Sequence, residues 1–127
     1  MAKVVLDASA LLAFVNGEPG AEKVAGVLGD AMISAVNFAE AVTKLALRSG
    51  SPDRTLAELT EAELEVVDFD RTLAEATGVL AALTRTRGLS LGDRACLALA
   101  RREGATALTA DNAWSKVDLE IDIQFIR

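Results

Sequence analysis

Four carboxylates lie at predicted strand ends and helix starts, where their residue type and spacing would allow them to bind a metal ion. Asp7 and Asp111 directly follow short apolar runs that are typical of buried strands, and Glu40 and Asp93 fall in the first turns of two predicted helices. Mg²⁺ and Mn²⁺ prefer carboxylate and other oxygen ligands. If the fold brings the four side chains together, they would repel one another unless a divalent cation lies between them.

The residue types that are absent narrow the possible chemistry. The chain has no histidine, and Cys96 is its one cysteine. Ser-His-Asp and Cys-His nucleophile chemistry and every histidine metal site are therefore excluded. Hydrolysis would have to use carboxylates, lysine, hydroxyls or bound metal. No internal disulfide is possible, which favours a reducing cytoplasm.

Size and charge limit the class of protein. The 127 residues suit one domain over residues 1–127. The net charge of −6 opposes a general nucleic-acid-coating role, although an enzyme that grips nucleic acid locally through metal stays possible. No targeting segment is recognised, and the apolar stretch at the N-terminus is too short to span a membrane, so a cytoplasmic protein is expected.

Strands and helices alternate along the chain. Strands are predicted at residues 4–6, 32–34, 64–69, 107–109 and 121–126. Helices are predicted at residues 8–15, 21–28, 37–48, 53–60, 70–87 and 90–103, with a helical turn at 112–116. This order favours an α/β fold with a parallel sheet and helices on both faces. Ligands bind such sheets outside the carboxyl ends of the strands, where Asp7 would stand.

Helix capping is the competing explanation for all four acids. Asp7 and Asp111 suit N-caps, and Asp70 has the same placement and is expected only to cap. The spacings Asn37-x-x-Glu40 and Ser90-x-x-Asp93 both resemble capping boxes. For any one acid taken alone, the pattern favours capping over catalysis.

The helical wheel separates Asp93 from Glu40. Asp93 shares a face with Cys96 and Leu97, and an acid on an apolar stripe is costly unless it is paired or bound to metal. Glu40 lies away from the apolar stripe of its helix, where a pair with Lys44 at i+4 would explain it. The pattern therefore favours function for Asp93 and gives Glu40 no such support.

Four segments of the chain resemble PIN-domain proteins and, among these, the VapC toxins of toxin–antitoxin pairs. They occur in the family's order at residues 5–12 (VLDASALL), 34–40 (SAVNFAE), 91–95 (LGDRA) and 108–114 (LTADNAW). The resemblance implies a three-layer α/β/α fold with five strands in the order 3-2-1-4-5. That order makes neighbours of all four acids, including Glu40, and leaves Asp70 near the edge of the sheet.

The same resemblance implies a function. It implies a Mg²⁺- or Mn²⁺-dependent endoribonuclease that acts as the toxin of a VapBC-type pair on an RNA substrate. Asp7 and Asp93 would be the main metal ligands, with Glu40 and Asp111 completing the site. The implied partner is a VapB-type antitoxin whose tail covers the acidic pocket, and a homodimer is implied as well.

Polar neighbours of the acids are further candidates. Ser9, Thr109 and Asn112 are placed to hold the acids or bound water, although helix-start, strand-end and turn roles explain them as well. Basic side chains gather in two neighbouring predicted helices, where they form a solvated face or track an RNA backbone. These residues are Arg85, Arg87, Arg94, Arg101 and Arg102.

Two other functions fit part of the pattern. An aspartyl-phosphate phosphatase or phosphoacceptor would use Asp7 as nucleophile, but the common phosphatase pattern has a second aspartate where this chain has Ser9. A non-catalytic PIN-like module would bind a partner without turnover, and it predicts no Mn²⁺ binding.

Overall fold

A five-stranded parallel sheet forms the centre of the fold. The computed structural model describes residues 3–85 and 88–127. The strand order is β3-β2-β1-β4-β5, and every pairing is parallel, which confirms the predicted order. The strands are β1 (Val4–Leu6), β2 (Ala31–Ser34), β3 (Glu65–Val67), β4 (Thr106–Thr109) and β5 (Ile123–Phe125).

Helices connect the strands and cover both faces of the sheet. The α-helices are α1 (Ala8–Asn16), α2 (Ala21–Ala25), α3 (Ala35–Ser49), α4 (Asp53–Glu61), α5 (Arg71–Thr84) and α6 (Leu91–Glu103). Short 3₁₀ helices lie at Leu28–Asp30 and Asn112–Lys116. Within residues 3–85 and 88–127, no helix is long and apolar enough to cross a membrane.

The three central strands supply two separate cores because successive side chains point to opposite faces of a sheet. Val5, Met32 and Ala107 are in register and pack with apolar residues of α5 and α6. The next row packs with α1 to α4 on the other face and comprises Leu6, Ile33 and Leu108. The two cores establish the expected three layers.

The start of α3 differs from the prediction. The helix begins at Ala35, and its N-cap is Ser34, whose Oγ accepts a hydrogen bond from the backbone N–H of Val36. The predicted capping box at Asn37 is therefore wrong. Asn37 lies inside the first turn, where its side chain is buried. A serine that ends a strand caps the helix because its extended backbone suits an N-cap.

Three other elements are shorter than predicted. The helix predicted at 21–28 ends at Ala25. Leu28 belongs to a separate 3₁₀ helix, and its side chain packs in the core. The two edge strands span three residues each, since each pairs with only one neighbour over three residues. The predicted end of the helix at 70–87 lies outside the described residues.

Candidate active site at the carboxyl ends of the strands

The central strand places Asp7 at the edge of the sheet where the parallel strands end. Leu6 is in register with Ile33 on β2 and Leu108 on β4. One residue further on, the N–H of Asp7 donates to the carbonyl of Leu108 at 3.2 Å, so the pairing continues beyond the strand. The same step along β4 reaches Thr109, which brings that hydroxyl beside Asp7.

Three hydrogen-bond donors hold the carboxylate of Asp7, a residue that is only 5% exposed. Its Oδ1 accepts from Ser9 Oγ at 2.7 Å and from the N–H of Ala10 at 2.8 Å. Its Oδ2 accepts from Thr109 Oγ1 at 2.6 Å. An ionised carboxylate has about four lone-pair sites, so these contacts leave about one, on Oδ2. Asp7 is thus the cap of α1 and still has an oxygen to offer.

Burial raises the pKa of the Asp7 carboxyl above its ordinary value. The hydrogen bonds from Thr109, Ala10 and Ser9 oppose this shift, and the negative charge of Asp93 adds to it. Burial also raises the pKa of the Cys96 thiol well above its usual range, with further contributions from the charges of Asp7 and Asp93. Asp7 and Asp93 therefore lie within electrostatic reach of each other and of the Cys96 thiol.

Asp93 forms the predicted capping box at the start of α6. Its Oδ2 accepts from the N–H of Ser90 at 2.9 Å, and Ser90 Oγ accepts from the N–H of Asp93 at 3.1 Å. The box fixes the orientation of the carboxylate and uses one of its lone-pair sites. The predicted cap at Asp70 is confirmed too, because its Oδ1 accepts from the N–H of Leu73 at 2.9 Å.

Glu40 meets the start of α6 at Gly92. A Cβ atom added to Gly92 would lie 2.6 Å from Glu40 Oε1, so the carboxylate occupies the space that a larger residue would fill. The next residue along the chain is Asp93. Among the ion pairs of the described residues, none joins Glu40 to Lys44, so the simple i+4 explanation is not observed.

Asn37 is a further candidate for the site, although its spacing from Glu40 predicted a helix cap. It is 1% exposed, and its Nδ2 donates to the carbonyl of Gly92 at 2.9 Å, which ties α3 to α6. Its Oδ1 is buried and has no hydrogen-bond partner among the described residues. The available signal was its spacing from Ala41 and Leu45, which puts an amide on the buried face of α3, where it needs a partner.

Asp111 is linked to Asp7 through Thr109 rather than directly. The N–H of Asp111 donates to Thr109 Oγ1 at 2.9 Å, and the same hydroxyl donates to Asp7. The Oδ1 of Asp111 accepts from the N–H of Ala113 at 2.9 Å, so this exposed side chain caps the 3₁₀ helix that follows β4. Ser9 Oγ accepts from the N–H of Ala110 at 2.9 Å, which fastens the start of α1 to the end of β4.

The remaining candidates have different surroundings. The predicted contacts of Ser9 and Thr109 with Asp7 are present, whereas Asn112 is exposed, and none of the hydrogen bonds of the described residues involves its side chain. Arg94 donates to the carbonyl of Thr77 at 3.0 Å and joins α6 to α5. Exposed arginines from the same set are Arg85, Arg101 and Arg102. Arg87 lies outside the described residues.

The chemistry of the donors fits a hard divalent cation. All four acids offer carboxylate oxygens, the buried Oδ1 of Asn37 is a further oxygen acceptor without a partner, and the sequence lacks histidine. In the described part of the chain, no three Asp, Glu or Cys side chains already converge at metal-holding distances. The arrangement is therefore three helix-capping aspartates and Glu40, all with lone pairs to spare, rather than a closed metal cage.

Comparison with known proteins places this arrangement in a family. The family model for the PIN domain matches residues 4–120. The chain belongs to the PIN-domain family. A search of curated protein sequences finds no match to this PIN domain.

Solved structures share the fold of this PIN domain. DNA-bound VapBC from Salmonella typhimurium matches with a TM-score of 0.75 and 22% identity over 100% of both chains. VapC20 from Mycobacterium tuberculosis, a sarcin-ricin loop cleaving toxin, matches with a TM-score of 0.73 and 19% identity over 94% of this chain and 99% of that chain. FitAcB from Neisseria gonorrhoeae gives 0.66 and 21% over 94% and 95%. At these identities, the likeness shows the fold.

Proposed function

We propose that this PIN domain is a metal-dependent endoribonuclease and the toxin of a VapBC-type toxin–antitoxin pair. The observation that carries the proposal is the buried Asp7 at the carboxyl end of the central strand, with Asp93 near enough to raise its pKa by charge repulsion. Neighbouring carboxylates repel unless a cation lies between them, and this edge of a parallel sheet is where ligands bind.

Asp7 and Asp93 would hold Mg²⁺ or Mn²⁺ as the main ligands, and Glu40 and Asp111 would complete the site. When bound, such a cation would lower the pKa of water so that a hydroxide nucleophile is available at neutral pH, and it would neutralise charge on the phosphoryl oxygens. The fit rests on the donor set, which contains hard oxygen ligands and lacks histidine.

The protein's own residues prepare this site in two ways. Ser9 and Thr109 fix the orientation of Asp7 through short hydrogen bonds to both of its oxygens. The capping box of Ser90 fixes Asp93 at the start of α6. Residues that orient metal ligands in this manner matter for affinity and activity nearly as much as the ligands themselves.

The proposed partners follow from the family and the solved relatives. Similar folds occur in VapBC from Salmonella typhimurium, and VapC20 from Mycobacterium tuberculosis is a toxin that cleaves the sarcin-ricin loop. These likenesses support an RNA substrate and a VapB-type antitoxin as partners. As part of the same proposal, the antitoxin covers the acids and the protein is a cytoplasmic homodimer. A short neighbouring reading frame with a DNA-binding N-terminal segment is the genomic observation that would support the toxin role.

The alternative of an aspartyl-phosphate enzyme has weaker support. Such an enzyme needs Asp7 accessible as a nucleophile, but the side chain is buried and both oxygens accept hydrogen bonds. Ser9, which stands where the common pattern has a second aspartate, donates to Asp7 and supplies no second carboxylate for phosphoryl transfer.

Substitution of the two main ligands tests the proposed activity. Asp7→Asn and Asp93→Asn should each reduce Mn²⁺-dependent cleavage of RNA by roughly a hundredfold or more, since losing residues that merely support metal ligands already costs about 10- to 100-fold. The measurement is the rate of cleavage by purified protein, with RNA 5′ ends sequenced to locate the cuts.

Asp70→Asn is the matched control. Asp70 caps α5 just as Asp7 caps α1, but it follows the edge strand β3. The control variant should cleave at the wild-type rate and keep near-wild-type stability, because asparagine caps a helix about as well as aspartate. Undiminished cleavage by both Asp7→Asn and Asp93→Asn would contradict the assignment of the site.

A further inference from the structure

A cavity of about 210 Å³ opens beside Asp7, between α1 and α3. Ser9 belongs to both features, because it lines the cavity and donates to Asp7 Oδ1 at 2.7 Å. We call this space the Ser9 cavity. The other lining residues are Leu12, Asn16, Glu18, Lys44, Leu45, Arg48 and Arg127. The volume is several times the roughly 30 Å³ that a water molecule takes up in the liquid.

The Ser9 cavity is basic in a chain whose net charge is −6. Three cations line it, against Glu18 as the one acid among its lining residues. Arg127 lies 3.5 Å from Glu18 and donates to the carbonyl of Pro19 at 3.0 Å, so these contacts anchor it. Lys44 and Arg48 take part in no ion pair among the described residues. Their charges remain available to an anion.

One row of α3 runs from the acids to the Ser9 cavity. Glu40, Lys44 and Arg48 are spaced four residues apart, so they lie above one another on the same helix face. The first contacts Gly92 at the start of α6, and the other two line the cavity. Like charges at i and i+4 weaken a helix slightly, so the helix alone does not favour Lys44 with Arg48. An anion bound between Lys44 and Arg48 would attract both side chains and offset their mutual repulsion.

We infer that the Ser9 cavity binds a backbone phosphate of the RNA strand beside the bond that is cut, with Lys44 and Arg48 as its charged contacts. The inference rests on the proposed function. Lysine supplies a compact point charge, and the guanidinium of arginine matches phosphate oxygens with two parallel donors. Asn16 adds a carboxamide to the lining. A phosphate held there places the next phosphodiester towards Asp7.

The arginines of α5 and α6 are a weaker choice for this role. Arg94 is committed to the carbonyl of Thr77, and Arg102 lies 3.0 Å from Glu103. Arg101 and Arg102 flank a groove between α5 and α6, and the other described residues that line it are apolar. None of the four acids lines that groove. The Ser9 cavity combines free positive charge with direct contact to the Asp7 network.

The test compares two double variants that remove the same charge. Lys44→Ala with Arg48→Ala removes the proposed contacts, whereas Arg54→Ala with Arg71→Ala removes two exposed arginines of α4 and α5 that line no part of the cavity. Binding of a labelled single-stranded oligoribonucleotide is measured by fluorescence anisotropy in EDTA, where no cation supports cleavage. Salt is varied over roughly 50 to 200 mM.

The cavity variant should bind roughly tenfold more weakly than wild type at low salt. Its plot of log affinity against log salt should be shallower by roughly 1.4, because two contacts to a single strand are lost. In Mn²⁺, KM should rise while kcat changes little. The charge-preserving variant Lys44→Arg with Arg48→Lys should keep most of the wild-type affinity. Thermal unfolding of the double alanine variant should match wild type because both side chains are exposed.

Two outcomes would overturn the inference. One is a cavity variant with wild-type affinity and salt slope, which would leave the cations to another partner such as an acidic protein segment. The other is an equal loss in the Arg54 and Arg71 control, which would reduce the effect to net charge. Failure of the proposed function looks different, since it would appear as wild-type protein that does not cleave RNA in Mn²⁺.

Discussion

Asp7 shows how one side chain can cap a helix and remain available as a ligand. Burial disfavours its charge, while Ser9, Ala10 and Thr109 donate to it and favour the charge. Three hydrogen bonds to one carboxylate fix its direction as well. Capping and metal binding are thus compatible at this residue, and a capping pattern in a sequence does not exclude a catalytic role.

The raised pKa of Asp7 makes a prediction about stability without metal. Because its pKa is raised in the folded state, the Asp7 carboxyl stabilises the fold fully at pH values below its unfolded pKa of about 3.9. This stabilisation is lost as pH rises through the raised folded pKa. Asp7→Asn should therefore unfold at a higher temperature than wild type at neutral pH in EDTA. A gain on the order of 1 kcal/mol corresponds to roughly 4 °C in Tm.

Mn²⁺ should reverse that order. A cation that binds the folded wild type at a hundredfold excess over its Kd stabilises it by about 2.7 kcal/mol, and Asp7→Asn should gain little. Thermal unfolding from about pH 4 to pH 8, with EDTA or Mn²⁺, checks both arms. Equal stability of the two proteins at every pH and no response to Mn²⁺ would contradict the role given to Asp7.

Contacts between residues that are near in sequence or on paired strands could be anticipated from the sequence. Contacts between residues on separately packed helices could not. Ser9 and Thr109 were candidates to hold the acids, with helix-start and strand-end roles as the alternative, and in the structure both donate to Asp7. The meeting of Glu40 with Gly92 depends on how α3 packs on α6, across 52 residues of chain. Local periodicity contains no information on that packing.

At the scale of elements, the starts of α3 and α6 form the junction that brings acids together. Asn37 ties the two helices through the carbonyl of Gly92, and the capping box of Ser90 orients Asp93. The close approach of Glu40 leaves no space for a side chain at Gly92. The glycine therefore sets how near Glu40 can come to the first turn of α6.

Gly92→Ala should move Glu40 without unfolding the protein. The added Cβ would lie 2.6 Å from Glu40 Oε1, the far end of a flexible side chain that can shift. Alanine is also favoured over glycine in a helix by about 0.5–1 kcal/mol, which offsets the strain. We expect near-wild-type stability and roughly tenfold weaker Mn²⁺ binding by calorimetry, as for other changes that displace a metal ligand.

Gly78→Ala is the control for that substitution. Gly78 also lies in a helix, but apart from the adjoining backbone of that helix, no atom of the described residues lies within 4 Å of the Cβ that alanine would add. This variant should gain roughly 0.5–1 kcal/mol of stability and bind Mn²⁺ like wild type. Wild-type affinity in Gly92→Ala as well would remove Glu40 from the proposed site.

The elements themselves were largely predictable, and their ends less so. Apolar runs and periodicity located all five strands and six α-helices, and the capping box marked the start of α6. The start of α3 was misplaced because Ser34 serves both as the last residue of β2 and as the helix cap. Edge strands came out shorter because the partner strand determines how many residues pair.

At the scale of the molecule, strand order decides whether the acids form a site. Alternation of strands and helices predicted a parallel sheet, but the order 3-2-1-4-5 came from the resemblance to PIN domains, and the structure confirms it. That order centres β1 and puts β2 and β4 on either side of Asp7. The charge of the chain divides accordingly, with acids at the strand ends and the Ser9 cavity beside them.

The most direct test of the proposed metal site is the anomalous diffraction of Mn²⁺ in crystals of the protein. We expect a manganese peak at the carboxyl end of β1, in contact with the carboxylates of Asp7 and Asp93, that disappears in crystals of Asp7→Asn. A wild-type crystal saturated with Mn²⁺ that has no peak at these carboxylates would contradict it and favour a PIN domain that binds partners without metal.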